Sequence, residues 1–171
     1  MITHHQQSFY ESARELLSYE SERLSQLVGR SPKSAWLARE SDGTWFNDEP
    51  AILVFDDMQI EIAVYQVGLL AITWNTVDVH SPANWLGCWD WPDDDVQWKI
   101  VDDGPIQCVI GQRLKAIHIV DYNSHGFGCG AHAVQFHFDS NVLAIYNALD
   151  ELGVSNEPFQ GSDYVMHPIA D

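Results

Sequence analysis

Cations are scarce in this sequence. Lys and Arg together number 8 in 171 residues, against 25 Asp and Glu, for a formal net charge of −17. Binding to nucleic acid or to anionic lipid draws on Lys and Arg, so neither partner is expected. Cysteine is scarce too: Cys88, Cys108 and Cys129 are an odd number, widely spaced, with no C-x-x-C pair. No disulfide framework follows, and a reduced, cytoplasmic setting is the simplest expectation. Long apolar runs are missing, since none approaches the ~20 residues of a membrane-spanning helix. The opening residues Met1–Gln7 also lack the apolar stretch of a secretory signal.

What is present argues for a folded domain. Apolar residues make up 46% of the chain and aromatic residues 12%, enough for a sizeable core. The expectation is one α+β domain over 1–171, with an N-terminal helix followed by antiparallel β structure in one continuous sheet or two.

The helix is read over 6–28. Phe9, Ala13, Leu16, Leu17, Leu24, Leu27 and Val28 recur near helical spacing, and Gly29 follows where a helix stop prefers glycine. After Gly29 the period changes. Ser34–Ala38, Ala51–Phe55, Ile60–Val64 and Leu69–Trp74 read as strands of a meander, with turn residues at Ser41-Asp42-Gly43 and Asp56-Asp57. Residues 75–104 read as a long connection with little regular structure, followed by a short helix at Ile106–Ile110. Leu114–Val120, Ala133–Phe138 and Val142–Tyr146 read as a second strand set, and the last twenty residues as a packed tail without a period.

The two strand sets echo each other. Leu27-Val28-Gly29 resembles Val109-Ile110-Gly111, and Phe55-Asp56 resembles Phe138-Asp139. Trp74-Asn75-Thr76-Val77-Asp78 resembles Tyr146-Asn147-Ala148-Leu149-Asp150, although this last match comes about ten residues early. An internal duplication of 27–78 and 109–150 would give two small sheets that bury their apolar faces against each other.

The acidic residues are unevenly placed. From Glu40 to Trp98 there is no Lys or Arg, while that span holds twelve acids. Residues 116–171 lack Lys and Arg as well. Such segregation makes a one-signed field, which speeds capture of a cationic partner by about 10–10³-fold. Within the span, Trp89, Asp90, Trp91, Asp93, Asp94 and Asp95 stand out, because tryptophans flanked by carboxylates suit Arg and Lys from a partner. Trp45 with Asp48 and Glu49 is a second candidate of the same kind.

Other chemistry finds less support. His125, Cys129, His132 and His137 fall within thirteen residues and offer metal-ligand types, with His125, Cys129 and His132 the nearest to a set. They make one irregular cluster on a glycine-rich turn, where a structural zinc site pairs its ligands twice. Asp93-Asp94-Asp95 lacks the spacing of a calcium loop, and no nucleophile elbow, phosphate loop or dinucleotide fingerprint occurs. No cofactor and no catalytic residue is expected. A metal-dependent enzyme built on the His125–His137 cluster and an acidic scaffold protein are the alternative classes.

In its small size, acidity, β-rich body and acidic-aromatic segment, the chain resembles the immunity proteins of bacterial polymorphic-toxin and contact-dependent inhibition systems. The resemblance is one of type and carries no residue roles. It implies a cytoplasmic binding protein that neutralises a basic partner, a toxin domain such as a nuclease.

Overall fold

The computed structural model describes residues 9–83, 96–123 and 130–169, and the account below concerns these. They are mostly β, in two antiparallel sheets, with two short helices. In chain order the elements are β1 (Phe9–Tyr10), α1 (Ala13–Ser25), β2 (Ser34–Arg39), β3 (Ala51–Val54), β4 (Gln59–Val64), β5 (Leu70–Trp74) and β6 (Gln97–Ile100). Then come α2 (Gly104–Gln107), β7 (Leu114–Tyr122), β8 (Gly130–Phe138), β9 (Val142–Asn147), β10 (Leu152–Ser155) and β11 (Tyr164–Pro168).

The helix is shorter than its periodicity predicts, for reasons visible at both ends. Ser12 caps it, its Oγ accepting from the Glu15 N–H at 3.2 Å, and Asp121 on β7 accepts from the Ala13 N–H at 2.8 Å. Phe9 and Tyr10, expected in the helix, are extended and pair with Ala71 and Leu70 instead. Past Ser25 the chain tightens, with Leu27 and Val28 bonding back three residues, and Gly29 turns it at a φ of +89°. Three further strands were not expected from the pattern. β6 lies inside the predicted long connection, and β10 and β11 lie inside the predicted tail.

The first sheet has the order β1-β5-β4-β3-β2-β6 and the second β10-β9-β8-β7-β11. Each contains a four-stranded meander, and each ends with a strand that returns to lie beside the first strand of that meander. The inner faces meet in one core. Leu53, Phe55, Ile60 and Ile62 from the first sheet join Ile117, Ile119, Phe136 and Ile145 from the second, with Leu16 and Leu24 from α1 and Leu27 from the turn after it. Full burial of each such side chain contributes about 1.5–3 kcal/mol. A smaller cluster on the outer face of the first sheet gathers Ala38, Ile52, Val96 and Trp98.

The sandwich has two distinct ends. At one, the Gly29 N–H donates to the Leu114 carbonyl and the Gly111 N–H to the Pro32 carbonyl, both at 2.8 Å. Pro32 and Leu114 each lie three residues beyond one of these glycines, so the two contacts mirror each other. A third bond, from Leu114 N–H to the Arg30 carbonyl at 2.8 Å, has no mirror image because Pro32 has no N–H to donate. The β3–β4 and β8–β9 turns lie at the same end. The opposite end carries the 40–50 connection and the β4–β5 and β9–β10 turns.

Candidate functional site

The two ends differ in how their charge is balanced. At the glycine end, Arg30 pairs with Asp57, Lys33 with Asp56 at 3.4 Å, and Lys115 with Asp139 at 3.1 Å. These pairs are exposed and each contributes little to stability, about 0–1 kcal/mol. Their effect is to cancel local charge. At the other end, Asp48, Asp150 and Glu151 are exposed. None of the ion pairs among the described residues involves them.

This acidic end is built by contacts between segments far apart in sequence. The Asn47 carboxamide donates to the Glu151 carboxylate at 3.0 Å, and the Leu152 N–H donates to the Asn47 carbonyl at 3.1 Å. Asn147 organises the β9–β10 turn. Its Oδ1 accepts from the Asp150 N–H at 3.1 Å, and its Nδ2 donates to the carbonyls of Gln66 and Leu69 at 2.6 and 3.1 Å. The turn itself has Leu149 at a φ of +64° and Asp150 at +97°. Tight hairpins needing two such residues normally use Asn-Gly or Asp-Gly. A leucine there costs about 1–2 kcal/mol, and Leu149 is 64% exposed at the tip. Partial burial, then the charges of Glu151 and Asp150, push the Asp48 carboxyl above its ordinary value. Three carboxylates thus lie near one another, and among the described residues the cation at this end, Arg39, pairs with Asp103 rather than with them.

Of the second candidate trio, Asp48 alone offers an open carboxylate. Glu49 is 2% exposed, which removes its carboxylate from the surface. Trp45 is half-buried against the main core, and its indole N–H is buried with no hydrogen-bond partner among the described residues. Asp150, Glu151 and Leu149 were not singled out in the sequence. The repeated aromatic-Asn-x-aliphatic-Asp pattern covers Leu149 and Asp150 but stops short of Glu151. Trp89, Asp90, Trp91, Asp93, Asp94 and Asp95 lie outside the described residues. On either side of that stretch, Val79, His80, Pro82, Val96 and Trp98 line an open cleft of about 460 Å³.

Of the metal-ligand candidates, His132 and His137 are among the described residues. His125 and Cys129 lie outside the described residues. His132 and His137 both stand on β8, five residues apart, which is about 16 Å along a strand. The His132 ring sits among Tyr122, Tyr146, Phe159 and Tyr164. The His137 ring packs edge-on against His118 with centroids 4.7 Å apart. Burial holds both imidazoles below the ordinary histidine value, with His118 adding to the effect at His137. Among the described residues no three His, Cys, Asp or Glu side chains come together as a metal site would require.

Each outer face carries a buried polar anchor. On the first sheet it is Glu61, 0% exposed, accepting from Gln59 at 2.6 Å, Thr73 at 2.7 Å, the Thr76 N–H at 3.0 Å and hydroxyl at 3.2 Å, and the Val77 N–H at 3.4 Å. These donors pin the start of the β5–β6 connection to the sheet. On the second sheet the anchor is Gln135, whose Oε1 accepts from the Phe159 N–H at 2.7 Å in the β10–β11 connection.

No helix among the described residues is long and apolar enough to cross a membrane. No protein-family model matches the chain, and no curated protein and no solved structure matches it.

Proposed function

We propose that this chain is a cytoplasmic acidic binding protein that captures and neutralises a basic protein, as an immunity protein does for a toxin such as a nuclease. The observation that carries this reading is the uncompensated acidic end, Asp48 with Asp150 and Glu151, opposite an end where cations and acids cancel. A field of this shape orients an incoming cationic surface towards one end of the sandwich and speeds its capture. Leu149, exposed in the β9–β10 turn beside Asp150, supplies an apolar contact there. Trp89, Asp90, Trp91 and Asp93–Asp95 remain part of the proposed surface on their composition.

The test is the protein encoded immediately upstream of this chain, produced and mixed with it. The expected result is a stable complex that abolishes the partner's toxicity and whose association slows steeply with added salt. Asp48→Asn, Asp150→Asn and Glu151→Gln together should cut the association rate about tenfold. An upstream product that neither binds nor is neutralised would overturn the reading.

We also infer that the two β units are copies of one ancestral unit. The shared meander with a returning strand supports this, as do the mirrored bonds of Gly29 and Gly111. So do the matching Lys33–Asp56 and Lys115–Asp139 pairs and the matching turn closures, Phe55 N–H to the Met58 carbonyl and Phe138 N–H to the Asn141 carbonyl, both at 2.8 Å. One element of the expected echo changes. Matching Trp74–Asp78 to Tyr146–Asp150 aligns the end of the fourth strand of one meander with the end of the third of the other. The topological counterpart of β5 is β10, and the copies extend to β6 and β11.

A further inference from the structure

The β10–β11 connection, 156–163, is a strap across the outer face of the second sheet. Its ends belong to opposite edges of the second sheet. The crossing covers four strand spacings, about 19 Å, and eight extended residues reach about 27 Å. The excess length is taken up in a turn, where the Tyr164 N–H donates to the Gly161 carbonyl at 3.3 Å. The strap touches the sheet through Phe159, whose ring meets His132, Tyr146 and Tyr164 at centroid distances of 4.9, 5.1 and 5.1 Å. Its backbone is tethered in the middle by the bond from Phe159 N–H to Gln135, and at its end by the Asn123 N–H donating to the Asp163 carbonyl at 2.8 Å.

That tether depends on a histidine. The Gln135 carboxamide gives its oxygen to Phe159, so its Nε2 faces the Nε2 of His137, 2.9 Å away. An amide nitrogen only donates, so the imidazole nitrogen must accept, which requires a neutral ring with its proton on Nδ1. Adding a proton at His137 Nε2 sets two donors face to face. Gln135 is 1% exposed, so bulk water does not enter to separate them. The relief is to turn the carboxamide over. Its oxygen then accepts from His137, and its NH2 group faces the Phe159 N–H, which loses its acceptor.

We propose that His137 and Gln135 form a proton-operated latch that releases the 156–163 strap and uncovers the aromatic face of Tyr122, His132, Tyr146 and Tyr164. The groups around the latch permit it. From β7, His118 faces His137, and its own charge would oppose a second proton. From β9 the opposing residue is Val142, which does not titrate. Lys115 and Asp139 at the hairpin end are paired with each other at 3.1 Å. The strap places Phe159 over His132 rather than a charge.

The experiment follows the Phe159 amide by hydrogen exchange in the full chain while the imidazoles are titrated by NMR. Between about pH 7.5 and pH 5, the range in which histidines titrate, protection of that amide should fall about tenfold after correction for intrinsic exchange. The midpoint should coincide with that of His137, and the Ile145 amide on β9 should hold its protection. His137→Gln keeps an acceptor but removes the proton, so its Phe159 protection should stay flat across the range. His132→Phe should retain the response. Constant protection while His137 titrates overturns the latch, as does a response that survives in H137Q or disappears in H132F. If H137Q does not fold, a midpoint that departs from His137 in the unaltered chain overturns it equally.

Discussion

The two outer faces of the sandwich solve one problem with different chemistry. Each sheet has a connection that must cross from the last strand of its meander to the strand beside the first, and each holds it with a buried polar side chain. The first face uses the Glu61 carboxylate, which gathers donors from Gln59, Thr73, Thr76 and Val77. The second uses the Gln135 carboxamide, which takes one strap N–H and passes a bond on to His137. A buried charge without a cation is costly unless several hydrogen bonds satisfy it. Glu61 has them, so that face is tied at several points. The second face is tied in mid-strap at Gln135 and at the strap's end by the Asn123 N–H donating to the Asp163 carbonyl, and it relies on edge-on and tilted ring contacts for the rest.

The largest effect should come from breaking the first anchor. Glu61→Ala strands several buried donors, and the expected loss is about 3 kcal/mol. Urea unfolding of E61A beside E61Q measures it, with the glutamine recovering part of the loss because it still accepts. A loss below about 1 kcal/mol in E61A would mean that the donors find other partners.

A smaller effect is expected on the second face from Gly153→Ala. A Cβ there would lie 2.4 to 2.7 Å from atoms of the Tyr146 ring, and that ring is boxed in by His132 and Phe159. Forcing the ring aside costs about 1–3 kcal/mol. G153A paired with Tyr146→Leu should recover part of that cost, and the recovery attributes it to the ring. Equal stability of G153A and the parent would show that the ring moves freely.

The smallest effect is one of pH, and its sign follows from burial. Burial depresses His132 and His137 in the folded chain relative to the unfolded one. Their contribution to stability is therefore fully present above the unfolded value, near 6.5. It is lost as pH falls through the depressed folded values. The urea midpoint should drop between pH 8 and pH 5.5, and the drop should shrink in His132→Phe. A midpoint that rises on acidification would contradict the burial of these rings.

Much of the framework was legible because local pattern and final environment agree. Strands such as β4 alternate, with Ile60, Ile62 and Val64 turned to the core, and an alternating run needs only one apolar face to hide. Gly29 and Gly111 sit at positive φ, where glycine is the natural choice. The edge strands β1, β6, β10 and β11 were not legible. They span two to five residues, too few for a period, and they exist because a partner strand offers its free hydrogen-bonding edge. The β9–β10 turn was hidden because Leu149 and Asp150 occupy positions that the common signals assign to Asn and Gly.

The sequence by itself determined the charge imbalance, the cation-free span from Glu40 to Trp98 and the meandering β character, since these are sums and periods along the chain. Only the tertiary structure decided which charges remain open. Lys33, Lys115 and Arg30 meet acids at one end, Glu49 and Glu61 are buried, and Asp48 is carried to Asp150 and Glu151. The physical reason is that charges cancel or reinforce according to their distance through space, not along the chain, screened over about 8–10 Å in physiological salt. The folding of two sheets onto one core sets those distances among residues about a hundred positions apart.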